Sequence, residues 1–280
     1  MAYKRSRKKG VDKRVLLCCV VVLVIMVFAD LLAKNKDNLE ATTTTEYVDA
    51  SIRSLEKVKI PEEQDEILKD YTGFTVSFNP RHRIPNYVAW DLTRDKANGQ
   101  EPRKSDFHPD ADVYGCPSLS DYRNSGFDRG HMAPAADMKW SPQAMYDSHA
   151  LTNMCPQDNS INTGRWNSIE KLERKWALRD SVLVIVAGPV LTDVLPRSIG
   201  KNVSVPERFF KVMLAPYANP PRAIGFIVPN HPTSDGIQQM AVSVDEVEAI
   251  TGYDFFAELP DEIENIIESE CNFNLWQRLK

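Results

Sequence analysis

Asp128-Arg129-Gly130-His131, followed by Asn153-Met154-Cys155-Pro156-Gln157, Asn162 and Glu170, is the stretch from which the rest of the chain is read. Histidine has a reference pKa of about 6.5, so His131 can accept a proton at neutral pH. Arg129 puts a fixed cation beside it, and Gly130 lets backbone or ligand come close. Asp128 can orient the arginine or a neighbouring donor. Taken alone, the tetrapeptide reads equally as a structural salt bridge.

Outward from it, elements follow from periodicity. Phe74–Phe78 and Tyr87–Trp90 are strand-like runs broken by Asn79-Pro80 and Pro85-Asn86, a predicted hairpin. Residues 95–126 read as a long ordered loop leading into Asp128. Ser141-Pro142 predicts a helix to about Ala150. Trp166, Ile169, Leu172 and Trp176 recur at three and four, a helical core stripe. If that helix starts at Asn162, then Asn162, Trp166 and Glu170 share one side. Three more strand-like runs, Val182–Ala187, Arg208–Leu214 and Ala223–Val228, precede a capping box at Ser243 to Glu246. Strands and helices mix without βαβ alternation, which favours an α+β domain.

Charge and hydropathy organise the ends. Residues 1–14 carry seven Lys and Arg against Asp12, a basic cytoplasmic tail, and the chain as a whole is −5. Residues 15–33 are apolar except for Asp30, about the length needed to cross a bilayer. They read as an uncleaved transmembrane signal anchor, with a cleaved signal peptide as competitor. Residues 34–70 read as a tether with a short helix around Pro61–Lys69, 71–260 as the working domain, and 261–280 as an acidic C-terminal extension. Residues 71–253 balance 19 Lys and Arg against 20 Asp and Glu, so a nucleic-acid ligand needs a local basic groove. Cys116, Cys155 and Cys271 leave room for one disulfide and one free thiol, with the pair open. None of the cysteines has zinc-site spacing.

Hydrolysing a phosphodiester takes a base for water and positive charge on the phosphate and leaving oxygen. Asp121 through Ala136, Thr152 through Gln157, and Ile161 through Trp166 to Glu170 closely resemble the DNA/RNA non-specific endonuclease family, which includes secreted bacterial nucleases and mitochondrial endonuclease G. The similarity runs from about Gly73 to Pro260. The resemblance implies a ββα-metal (His-Me finger) nuclease: a central antiparallel sheet flanked by helices, here preceded by one N-terminal transmembrane helix. It implies His131 as general base, Asn162 as the protein ligand of Mg²⁺ (Mn²⁺ being an alternative), and Glu170 as holder of metal-bound water. Arg129 and Arg103 would clamp phosphate, while Asp128, Asn153 and Gln157 support. Singly, Asn162 also reads as a helix cap and Glu170 as a partner of Arg174. His82, His108, His149 and His231 read as surface or structural.

The expected partners are DNA and RNA through phosphates, with 5′-phosphate products, and a membrane through residues 15–33. Arg103, Lys104, Arg129, Lys139 and Arg165 are the basic residues near the motif. The expected location is the periplasmic or extracellular side of a membrane. Two rivals stand: a mitochondrial endonuclease G-type nuclease, and a catalytically silent domain that only binds nucleic acid.

Overall fold

The computed structural model of the chain describes residues 52–104, 106–192 and 196–277. The basic tail, the apolar run 15–33 and the tether up to residue 51 lie outside the described residues. Among the described residues no helix is long and apolar enough to cross a membrane.

The strands are β1 (Ile67–Tyr71), β2 (Phe74–Asn79), β3 (Ile84–Thr93), β4 (Asp128–His131), β5 (Met154–Gln157), β6 (Val182–Pro189), β7 (Arg197–Ile199), β8 (Val203–Val205), β9 (Arg208–Ala215), β10 (Arg222–Pro229) and β11 (Ala241–Val242). Seven form one sheet in the order β1-β2-β3-β6-β9-β10-β11, with every neighbouring pair antiparallel. The hairpin expected from residues 74–90 is β2 and β3.

Central strands read as near-continuous apolar runs because both faces of the sheet are covered. On β3, Val88, Trp90 and Leu92 enter one core, and Tyr87 and Ala89 the other. On β9, Phe209 and Met213 oppose Phe210, Val212 and Leu214 in the same way. The first face is closed by β4, β5 and the helices α1 (Pro142–Asp147) and α2 (Asn167–Asp180). The second is closed by residues 52–55, by α3 (Val244–Thr251) and by Tyr253, Phe255 and Phe256.

The expectation of a tether through residue 70 is corrected from Ile52 onwards, about its second half. Ile52 and Leu55 are buried in the second core, and β1 pairs along the edge of the sheet. The predicted helix at Pro61–Lys69 is not formed. Ile67, Lys69 and Tyr71 turn half-buried towards the sheet while Leu68 and Asp70 are exposed, a period of two that wins over helical propensity once β2 offers its hydrogen bonds. The acidic C-terminus is likewise not a free extension. Helix α4 (Asp261–Ile267) ends on buried Ile267, and α5 (Phe273–Gln277) packs Trp276 against Trp176, the rings tilted with centroids 4.7 Å apart. Cys116, Cys155 and Cys271 are all free thiols, so no disulfide forms among them.

Candidate active site

β4 and β5 form a two-stranded ribbon in which Asp128 faces Gln157, Gly130 faces Cys155 and His131 faces Met154. A Cβ at position 130 would collide with the Gln157 side chain, so this close approach requires glycine. Gln157 is fully buried, and neither end of its amide has a hydrogen-bond partner among the described residues. Its side chain packs directly under Gly130 and fills the space beneath β4. Asn153 does the bracing. Its Oδ1 accepts from the Ala133 N–H at 2.9 Å, and its Nδ2 donates to the carbonyls of Ala133 and Ser148, each at 2.9 Å. From the other side, Trp166 Nε1 donates to the His131 carbonyl at 3.1 Å. The backbone of His131 is thus pinned on both flanks.

His131 is 7% exposed, its ring packed 5.5 Å from Phe107 and edge-on to His149 at 5.1 Å, and its Nε2 has no hydrogen-bond partner among the described residues. Burial, then the charges of His149, Arg103 and Arg129, push its pKa down to about 3. The ring is therefore neutral near pH 7, with a bare nitrogen. His149, expected to be structural, belongs to this wall, and Phe107 joins them. The Arg129 guanidinium lies over the Phe107 ring at 4.4 Å, so one aromatic fixes both the base and the cation. The backbone of His108 bonds to His149 and Leu151, which ties the loop carrying Phe107 and exposed Arg103 to the site.

Asn162 stands in a π-helical turn, Ile161–Trp166, before α2 begins at Asn167. Such i→i+5 turns are rare and concentrate at functional sites. Here the turn replaces the regular helix expected from Asn162 onwards. Asp128 Oδ2 accepts from Asn162 Nδ2 at 2.9 Å and from Asn159 Nδ2 at 2.8 Å. This assigns the carboxamide: its nitrogen is committed to Asp128, leaving the carbonyl oxygen free as a hard donor. A hard oxygen is what Mg²⁺ accepts from protein, so the residues fit such an ion.

Glu170 is half-buried on α2. Its expected alternative partner, Arg174, instead donates to Asp137 Oδ1 at 2.8 Å. Burial raises the Glu170 pKa to about 7; Glu173 adds to the rise, while Lys211, Arg174 and Arg103 oppose it. Close by is a group of charges not singled out from the sequence. Lys211 Nζ donates to Glu173 Oε2 at 2.8 Å with both side chains fully buried, and Lys211 sits between the rings of Trp166 at 4.7 Å and Trp90 at 5.2 Å. Trp90 Nε1 donates in turn to Asp137 Oδ2. Arg103 makes no hydrogen bond to His131 or Glu170, yet its charge acts on both.

A histidine-bearing ribbon and a helix docked on one face of a large antiparallel sheet give a mixed α/β fold that matches an EndoG-like nuclease. Sequence comparison agrees. Residues 53–262 match the family described as DNA/RNA non-specific endonuclease, and the chain belongs to it. This is a family of hydrolases that act on nucleic acids and are generally metal-dependent. The chain is 34% identical over 210 residues to the mitochondrial Nuclease 1 of Schizosaccharomyces pombe, covering 67% of this chain and 65% of that protein. It is 37% identical over 210 residues to the mitochondrial nuclease EXOG of Danio rerio, covering 68% of this chain and 60% of that protein. The alignments thus span less than two thirds of those relatives. Among solved structures, the EndoG/EndoGI complex, determined to describe EndoG inhibition, superposes with a TM-score of 0.64 at 26% identity, covering 70% of this chain and 88% of that one.

Proposed function

We propose that this chain is a Mg²⁺-dependent, sequence-non-specific endonuclease that hydrolyses DNA and RNA to 5′-phosphate products. The observation that carries the reading is the unpaired Nε2 of a neutral, buried His131 in a wall that also holds Arg129. A binding module has no use for an unsatisfied imidazole nitrogen, which costs stability unless a substrate or water completes it.

His131 accepts a proton from water as its oxygen bonds to phosphorus; the bond from phosphorus to the 3′ oxygen breaks, and the phosphate stays on the 5′ side. The field of Arg103 and Arg129 that lowers the imidazole's basicity is offset by an incoming phosphodiester anion, which moves the base towards its effective range. Those arginines contact phosphate rather than base edges, so the reaction reads no sequence. Asn162 Oδ1 would hold the Mg²⁺ ion and Glu170 its water; Mn²⁺ meets the same demands. The ion supplies positive charge to the phosphate and the leaving oxygen. Asp128 keeps the Asn162 oxygen turned to that task.

For location, the apolar run 15–33 supports a single-pass anchor with the nuclease domain on the non-cytoplasmic side. The mitochondrial relatives support an organellar setting as a second reading. Alkaline washing of membranes separates the anchor from peripheral attachment: full release of the unprocessed chain ends the anchor reading.

The deciding experiment uses the full chain, because cutting at residue 70 removes Ile52, Leu55 and most of β1 from the fold. Incubation with plasmid DNA and with RNA should give cleavage of both, abolished by EDTA and restored by Mg²⁺. Binding without cleavage would establish the silent-domain rival.

A further inference from the structure

A second group of carboxylates stands apart from His131, on the helices that close the other core. Asp245 lies in the first turn of α3 and Glu248 one turn later, so both project from the same side. Glu268 stands at the C-terminal end of α4, and its carbonyl accepts from the Asp245 N–H at 3.2 Å, clasping the two helices together. One oxygen from each of the three carboxylates lies within 4.8 Å of the other two.

Acidic clusters on surfaces are common, but Glu268 is not on the surface. It is 2% exposed, and its Oε1 is buried with no hydrogen-bond partner among the described residues. Among the described residues none of the three carboxylates has an ion pair, whereas Asp254 is paired with Lys59 at 2.9 Å. Residues 254–271 carry seven acidic side chains and no basic one. Burial, then Glu248, Glu264, Asp245 and Asp254, push the Glu268 carboxyl up to about 9. A proton on Glu268 would relieve part of this, but Glu248 and Asp245 would still converge on it. Glu248 Oε1 already accepts from the Phe255 N–H at 2.8 Å, which leaves its second oxygen for another partner.

We propose that Asp245, Glu248 and Glu268 form a second cation site, separate from the candidate active site, which takes a Ca²⁺-class ion and fastens the acidic C-terminal helices to the domain. Ca²⁺ takes about six to eight oxygens in a flexible arrangement and accepts several carboxylates directly, whereas Mg²⁺ demands near-ideal octahedral geometry and keeps most of its waters. Three carboxylates converging from two helices suit the less demanding ion. Exposed Asp245 and half-buried Glu248 give it a way in, and Glu268 supplies the buried anchor.

The test uses the full chain carrying Asn162→Ala, which removes the candidate active-site ligand from the reading. Isothermal titration with CaCl₂ after EGTA stripping should show one equivalent bound, and thermal melts should show a rise in Tm that EGTA reverses. Glu268→Gln should melt in EGTA close to the parent's temperature, because the amide keeps the shape of the protonated carboxyl, and should lose at least tenfold in Ca²⁺ affinity, because it cannot ionise to meet the cation. Glu248→Gln, at a half-buried position, should lose affinity likewise and decides the matter if Glu268→Gln fails to fold. No Ca²⁺ binding in the parent, or undiminished binding in the folded variants, overturns the site; Mg²⁺ binding as tightly as Ca²⁺ overturns the choice of ion.

Discussion

Alternate residues of the same strands line two faces of the seven-stranded sheet, and the two faces are filled by different chemistry. The face away from His131 takes Tyr87, Ala89, Val182, Val184, Val186, Phe210, Val212 and Leu214, an apolar layer. The face beneath the candidate site takes Trp90, Leu183, Ile185, Phe209 and Met213 but also Lys211, with Glu173, Asp137 and Arg174 packed close by. Burying those charges costs several kcal/mol per ion before pairing offsets it, and an apolar pair of similar volume is often as stable or more so. The difference teaches that one face is built for stability alone. The other carries buried charge pairs packed beside α2, the helix that bears Glu170.

The comparison is broken most easily at its most polar point. His131→Ala should lower plasmid nicking by about 10²–10⁴-fold, the usual contribution of general acid-base catalysis, while leaving Tm unchanged within a few degrees. Nicking within a few-fold of the parent would remove the base from His131. Lys211→Met leaves Glu173 buried without its partner and should cost about 3–5 kcal/mol in denaturant unfolding, with reduced nicking per folded molecule. A loss of stability with unchanged nicking would show the charged layer to be structural only.

Leu214→Ala, on the apolar face, should cost about 2–5 kcal/mol and leave nicking per folded molecule unchanged. A change in kcat there would mean that the two faces are coupled. The smallest expected effect is Asp128→Ala. Removing the acceptor of the Asn162 amide should weaken the apparent Mg²⁺ affinity by about 10–100-fold, with maximal rate partly recovered at high Mg²⁺. An unchanged Mg²⁺ titration would contradict the orienting role.

The strands were legible because both-sided burial gives unbroken apolar runs such as Val182 to Ala187, closed by Gly188-Pro189. Ser243 and Glu246 announced α3 through local capping chemistry alone, and the box forms. The elements that local pattern could not give depend on distant partners. β1 is strand only because Phe74 to Phe78 lie alongside it. The π turn at Ile161–Trp166 depends on how the chain docks Asn162 to Asp128 and Trp166 to His131 across more than thirty residues.

At the site, Asp128, Arg129, His131, Asn153, Asn162 and Glu170 were named from motif and resemblance, and the structure gathers them around one ribbon and one helix. His149 and Phe107 carried no such signal, since nothing in their spacing says that a loop will lay them against His131. Lys211 did carry one. A lysine amid Phe209-Phe210 and Val212-Met213 breaks an apolar strand, and a buried lysine needs a buried acid.

The central claim is that a neutral, unpartnered His131 acts as the base beside an ion held by Asn162. Nicking of plasmid DNA by the full-length chain, titrated with Mg²⁺ for the parent, His131→Ala and Asn162→Ala side by side, tests it most directly. His131→Ala is expected to stay low at every Mg²⁺ concentration, whereas Asn162→Ala shifts the titration to higher Mg²⁺. Parent-like nicking by His131→Ala, or a parent-like Mg²⁺ titration for Asn162→Ala, would contradict it.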